Sequence, residues 1–445
     1  MWVLFVNFVL YKILHTMKYT AANPKLYIEN RQRFAKKLKS NSIAVFNSND
    51  IMPTSADGSM MFIQNTDIFY LSGIDQEESI LVLFPDAKDE SNREILFLKE
   101  TNEHIAVWEG HKYTKQEAIA TSGIKKIYWL KDFNTIFNGL MAQAENVYLN
   151  TNEHTRATID VETRDARFIK FCKERYPLHN YQRSAPIMHD LRAIKSSYEV
   201  ETMQQACNIT EKGLRRLLGF IKPGVMEYEI EAELIHEFVR NRSRGFAYGP
   251  IVASGANACV LHYTDNNKEC KAGDVILLDV AAEYGNYASD LTRCLPVSGK
   301  FTQRQKEVYN AVLRVMRAAI KMLVVGNNFI NYNKAVGKLM EDELIGLGLL
   351  NATDVANQNP EAPLYKKYFM HGTSHFLGLD VHDVGSFQRT FEAGMVFTCE
   401  PGIYIPAEGL GIRLEDDILI TENGPVNLMA NIPIEADEIE KLMAN

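Results

Sequence analysis

Ala272-Gly273-Asp274-Val275-Ile276-Leu277-Leu278-Asp279 ends an apolar run on an acid, and Ala393-Gly394-Met395-Val396-Phe397-Thr398-Cys399-Glu400 does the same 121 residues later. Each window passes a Gly-containing turn and returns to a second acid, Asp290 in the first and Glu415 in the second. The two windows read as an internal duplication. In the first copy Val275–Tyr284 has the pattern of a strand, Gly285-Asn286 that of a two-residue hairpin loop, and Tyr287–Cys294 that of the returning strand. This register sets Ala281 opposite Asp290, so Asp279, two residues away, shares that face and lies diagonal to Asp290. In the second copy, a turn centred on Ala407-Glu408 sets Glu400 opposite Glu415, a register that rests on where the longer connection turns.

Two carboxylates on one sheet face, roughly 5–8 Å apart at Cβ, repel each other unless a cation lies between them. Exposure on an amphipathic strand explains Asp279 poorly, because Val-Ile-Leu-Leu precedes it and Val-Ala-Ala follows. A lone ionised carboxylate in an apolar strand is costly unless it is paired or metal-bound. Between the copies runs His371-Gly-Thr-Ser-His375-Phe-Leu-Gly-Leu-Asp-Val-His382-Asp383, which reads as a turn entering a strand, and His262 lies in another loop-like segment. Single histidines are more often structural than ligating; three in one run between two acid-bearing copies are more specific. Oxygen ligands with one imidazole suit a hard divalent ion, with manganese, cobalt, iron and zinc all candidates. Four acids exceed what one small cation needs, so two ions sharing carboxylates is the simplest arrangement.

Val275–Arg293, His371–Gly385, Thr398–Ile405 and Gly411–Ile420, with Ile251–Tyr263 upstream, resemble aminopeptidase P, the Xaa-Pro aminopeptidase of the pita-bread metallopeptidases. The likeness runs from about Lys25 to the C-terminus. It implies that Asp279, Asp290, His375, Glu400 and Glu415 ligate two divalent ions, with manganese the expected metal. Asp290 and Glu415 would bridge, Asp279 would complete one ion, and His375 and Glu400 the other. It also implies that His262 and His382 contact substrate and handle protons, that His371 lies at the edge of the site, and that Tyr404 and Arg413 stand on its substrate side. The implied activity removes the N-terminal residue from peptides with proline in second position. A hydroxide bridging the two metals would attack, with Glu400 passing a proton to the leaving nitrogen. Proline specificity comes from the resemblance alone; ligand spacing does not supply it. Two departures stand out: Asp279-Val-Ala-Ala replaces the family's frequent Asp-x-Gly, and the loop at 383–394, with Arg389, is shorter than in several relatives. A prolidase cutting Xaa-Pro dipeptides would share the five ligands. A non-catalytic pita-bread protein that binds peptides would have no need of them.

The chain has 445 residues, 46% hydrophobic and 23% charged, which is ordinary for a soluble globular protein and long enough for two domains. A net charge of −8 argues against nucleic-acid binding. Six cysteines without metal-finger spacing read as reduced thiols of a cytoplasmic protein, Cys399 being packed behind the site. Trp2–Leu14 is apolar but lacks a basic start, is interrupted by Lys12 and is short for a membrane span. Residues 1–16 therefore read as an over-long extension before Met17, with no membrane association. An α/β fold is expected throughout (α+β in detail). Residues 17–188 form a smaller N-terminal domain, and residues 189–445 a pita-bread catalytic domain carrying the duplication. Tyr27–Leu38 reads as an amphipathic helix, and Ser42–Phe46, Ile80–Phe84 and Glu94–Leu98 as strands. Ser184-Ala185-Pro186 marks the boundary, and a charged helical run, Leu191–Leu218, opens the second domain. Trp108 resembles a residue that, in the family, is contributed to a neighbouring subunit's substrate site, which implies a homodimer or homotetramer acting on peptides.

Overall fold

The computed structural model of the chain describes residues 19–444; the extension read at residues 1–16 lies outside them. Two compact units divide between Arg192 and Ala193. Ser184-Ala185-Pro186 does not interrupt helical structure, because Ala185–Ala193 is a helix with Pro186 near its start. The first turn has no use for the missing N–H.

The first unit holds a six-stranded sheet: β1 (Ser42–Asn47), β2 (Ile80–Leu83), β3 (Glu94–Leu98), β4 (Lys126–Trp129), β5 (Asn146–Leu149) and β6 (Asn180–Arg183), in the order β4-β3-β2-β1-β5-β6. Every residue of β1 is buried, as in a strand covered on both faces. Ile43 and Val45 of β1 join Phe97, Phe133 and Phe137 in one apolar cluster. The expected amphipathic helix spans Pro24–Ala35, opened by the Asn23 side chain, and it buries Arg31. Arg31 Nη1 donates to the carbonyls of Leu71 and Ser122 at 2.8 and 3.0 Å. These carbonyls lie in the last turns of helices Thr66–Ser72 and Lys115–Ser122, where backbone acceptors are otherwise unpaired and a cation is favoured.

The second unit is built around the duplicated hairpins. Its strands are β7 (Ile251–Ser254), β8 (Val275–Asp279), β9 (Glu283–Tyr284), β10 (Tyr287–Ala288), β11 (Thr292–Pro296), β12 (Val396–Cys399), β13 (Gly402–Ile405), β14 (Leu410–Arg413), β15 (Asp416–Thr421) and β16 (Gly424–Asn427). Tyr284 faces Tyr287 across Gly285-Asn286, both loop residues adopting positive φ (58° and 69°) as a tight hairpin turn of this type requires. Asp279 faces Thr292, so one register runs through the whole hairpin and the expected opposition of Ala281 and Asp290 follows from it. In the second copy Ile405 faces Leu410 and Cys399 faces Asp416, and the same register sets Glu400 opposite Glu415. In both copies the regular ladder lapses beside the acids, at residues 280–282 and 289–291 and again at 400–401 and 414–415. A single bridge between Thr292 and Glu415 joins the two hairpins.

Helix Gln303–Ile320 packs on β12, β13 and β14, and helix Glu227–Arg240 on β7. The expected run Leu191–Leu218 is two helices rather than one. Ser196 starts the second, Ser197–Leu218, with a capping box to Glu199. No described helix is long and apolar enough to cross a membrane.

Candidate active site

The lapses in the two ladders let acids from both hairpins meet. Asp290, His375 and Glu415, all buried, bring ligand-type atoms within 4.8 Å of one another. His375 Nε2 lies 3.4 Å from Asp290 Oδ2 and 3.8 Å from Glu400 Oε1. On the other side of the ring, Nδ1 is 2.9 Å from the Phe376 carbonyl. A carbonyl only accepts, so Nδ1 carries the hydrogen, and Nε2 is the nitrogen left to face the carboxylate oxygens, as a donor when protonated and as a lone pair when neutral.

A hydrogen-bond network fixes the remaining groups. Asp279 accepts from the Tyr248 hydroxyl at 2.6 Å and from Arg413 Nη2 at 2.5 Å. Arg413 also donates to Tyr404 Oη at 2.7 Å and to Thr292 Oγ1 at 3.1 Å, and Thr292 donates to Glu415 at 2.7 Å. His371 Nδ1 donates to the Gly372 carbonyl at 2.8 Å, which leaves Nε2 to accept from the Tyr404 hydroxyl, also at 2.8 Å. Burial, with Arg413 and His262 nearby, lowers the His371 pKa to about 4. The His382 ring stands edge-on to His375, centroids 4.4 Å apart. Asp290, His375 and Glu415 form a closed floor, whereas Asp279 and Glu400 are partly exposed and His262 and His382 exposed. Solvent therefore reaches the group at Asp279, Glu400, His262 and His382.

Burial raises the carboxyls of Asp279, Glu400 and Glu415 above their ordinary range, Glu400 to about 7. Asp290 and Glu400 push Glu415 up further, while Arg413 pulls the other way. Burial opposes protonation of His375, but the Asp290 hydrogen bond and the Glu400 charge outweigh it and raise its pKa. Protein groups alone leave the carboxylates facing one another, with His375 beside them. Cations among them would relieve both the repulsion and the desolvation, and an oxygen-rich set with one imidazole fits hard divalent ions.

The family model for metallopeptidase family M24 matches residues 201–422, and that for the aminopeptidase P N-terminal domain matches residues 27–148. The chain is 34% identical to a Haemophilus influenzae Xaa-Pro aminopeptidase over 440 residues, covering 96% of this chain and 99% of that one. It is 34% identical to the Escherichia coli Xaa-Pro aminopeptidase over 428 residues, 93% and 96% of the two chains. The solved Pseudomonas aeruginosa aminopeptidase PepP superposes with a TM-score of 0.87 at 32% identity, covering 95% and 98%. The chain belongs to the Xaa-Pro aminopeptidases of metallopeptidase family M24. It is a metal-dependent peptidase, and its buried Asp-His-Glu cluster accords with divalent metal use.

In this Xaa-Pro aminopeptidase, the structure gathers most of the residues singled out in the sequence. Trp108 lies in the first unit, on helix Glu103–Glu109, exposed beside Val107. Arg389 pairs with Glu392 at 2.5 Å. The segment His371–Gly385 does not run into a strand as expected. It stays irregular apart from one bridge, Phe376 to Phe397, and aromatic packing supports it instead. Phe329 lies 5.8, 4.9 and 5.0 Å from the rings of Phe376, Phe391 and Phe397. Cys399 is fully buried behind Glu400, 3.6 Å from the Tyr332 hydroxyl. Two partners of the acids escaped the sequence reading. Thr292 was within reach, since the hairpin register sets it opposite Asp279. Tyr248 was not, because nothing in Phe246-Ala-Tyr-Gly-Pro250 signals a contact 31 residues away.

Proposed function

We propose that this Xaa-Pro aminopeptidase works with two divalent cations, manganese first among them, held by Asp279, Asp290, His375, Glu400 and Glu415, with Asp290 and Glu415 shared. The observation that carries the reading is the buried convergence of Asp290, His375 and Glu415, with Glu400 3.8 Å from His375. Cations bound there supply Lewis acidity and lower the pKa of water toward neutrality. The remaining tasks fall to the chain. Glu400, at the open edge, takes a proton from the nucleophile and delivers it to the leaving proline nitrogen. An amide nitrogen leaves as a neutral amine only once it is protonated, and this one, a tertiary amide with no N–H in the substrate, gains its N–H in that transfer. His262 and His382, exposed at the mouth, donate to the carbonyl oxygen as it gains charge. Arg413 holds Asp279 and Tyr404 together, and Tyr404 holds His371 at the rim.

The exposed pair Val107 and Trp108 fits a surface covered by a second copy of the chain, where Trp108 narrows a neighbour's active-site mouth in a dimer or tetramer. Six free cysteines fit a reducing cytoplasm. The test is turnover of an Xaa-Pro-Yaa tripeptide beside an Xaa-Pro dipeptide. Tripeptide cleavage that a chelator abolishes and manganese restores supports the reading. Cleavage of the dipeptide alone makes the protein a prolidase.

A further inference from the structure

Glu227, the first residue of helix Glu227–Arg240, is a completely buried acid outside the metal cluster. Its Oε1 accepts from the Ser254 N–H at 2.8 Å and from Asn257 Nδ2 at 3.1 Å. Its Oε2 accepts from the Tyr263 hydroxyl at 2.7 Å and from the Lys268 N–H at 2.9 Å. The Glu227 N–H in turn donates to the Lys268 carbonyl at 2.9 Å. All four donors belong to one segment, residues 254–268, two on each side of its tip at Cys259–His262. One oxygen gathers the entry of the loop and the other its exit.

The tip bears His262, exposed and adjacent to buried Tyr263. Further contacts hold the loop. Asn266 accepts from the Val252 N–H at 3.0 Å and donates to the Pro250 carbonyl at 3.0 Å. From the hairpin side β14 approaches so closely that a Cβ on Gly411 would stand 2.3 Å from the Ala258 carbonyl oxygen.

We propose that Glu227 is a positioning residue for the peptidase reaction: by closing both ends of the 254–268 loop, it fixes where His262 stands at the active-site mouth. The inference rests on the reading of His262 as a substrate contact. The chemistry requires a carboxyl group and not merely a polar side chain. Each oxygen receives one main-chain N–H, from Ser254 or from Lys268, and a main-chain donor cannot turn round. A glutamine amide would therefore aim its NH2 at a fixed N–H in either orientation, leaving a buried donor unsatisfied.

The test is a double-mutant cycle on the metal-loaded enzyme, combining Glu227→Gln with His262→Ala and measuring metal content, Tm, kcat and KM for an Xaa-Pro-Yaa peptide. Glu227→Gln should keep its metals and lose kcat/KM by about tenfold. That loss should disappear in the His262→Ala background, where the loop has no side chain left to place. Tyr263→Phe, which removes one donor and leaves the carboxyl, should behave the same way at about threefold, and it carries the cycle if Glu227→Gln fails to fold. Equal losses in both backgrounds, or loss of metal, overturn the proposal while leaving the role of His262 standing. Unchanged kinetics in His262→Ala overturn that role and the proposal with it.

Discussion

Glu227 and Glu415 sit in the same unit, are 0% and 2% exposed, and have opposite surroundings. Around Glu227 four neutral donors use both oxygens. Around Glu415 one hydroxyl, from Thr292, faces it, while Asp290 and His375 turn ligand-type atoms toward the same space. Asp416, the next residue, is as buried as Glu415 but is paired with Arg293 at 2.6 Å and Asn427 at 2.7 Å. Burial of an acid is thus no mark of a metal site, because a protein can satisfy a buried carboxyl with its own donors. The mark is a set of buried acceptors that face one another.

That contrast is broken most severely by removing its acceptors. Asp279→Ala, Asp290→Ala, His375→Ala, Glu400→Ala and Glu415→Ala should each cut kcat/KM by about three orders of magnitude or more. The shared pair Asp290 and Glu415 should suffer most, with metal lost in step. Full activity in a metal-free protein would dissolve the contrast. A smaller effect separates holding metal from handling substrate. His382→Ala should retain its metals and lose about a hundredfold in kcat, whereas His375→Ala loses both. Equal metal loss in the two variants would mean that their roles are exchanged.

Acidity probes the metal-free cluster without any substitution. Because burial raises Asp279, Glu400 and Glu415, the folded metal-free chain holds more protons than the unfolded chain, so stability falls as pH rises. His371, lowered to about 4, opposes this only below the ordinary histidine range near 6.5. Differential scanning calorimetry of metal-free protein should therefore give a lower Tm at about pH 8 than at about pH 6.5, and manganese should raise Tm more at the higher pH. A metal-induced rise that is equal at both values would contradict the acceptor-facing-acceptor picture. The smallest effect belongs to the first unit. Trp108→Ala should leave metals bound and raise KM about fivefold, the worth of a modest aromatic contact, in an enzyme that light scattering finds to be a dimer or larger. A monomer with unchanged tripeptide kinetics would remove Trp108 from the account.

Much of this site could be read before any coordinates, for a local reason. Asp279 closes an apolar strand, and Gly285-Asn286 fixes a hairpin whose side-chain period of two then dictates every partner. The same arithmetic about Ala407-Glu408 set Glu400 against Glu415. What the sequence did not disclose depends on contacts between distant segments. Arg293 reaches Asp416 across 123 residues and Tyr248 reaches Asp279 across 31, and no periodicity encodes either. The break at Ile194-Lys195-Ser196 was hidden because the residues on both sides favour helix. Nothing in the sequence around Glu227 signals its role, since the loop it gathers begins 27 residues later.

Asp290, His375 and Glu415, with Asp279 and Glu400, are proposed to hold two cations between the hairpins. Anomalous X-ray scattering at the manganese edge, from crystals of the manganese-loaded enzyme, tests this most directly. Two peaks a few ångströms apart are expected, both within ligand distance of Asp290 and Glu415, one also bound by Asp279 and the other by His375 and Glu400. No peak among these residues, or manganese bound only elsewhere in a protein that cleaves Xaa-Pro-Yaa peptides, would contradict it.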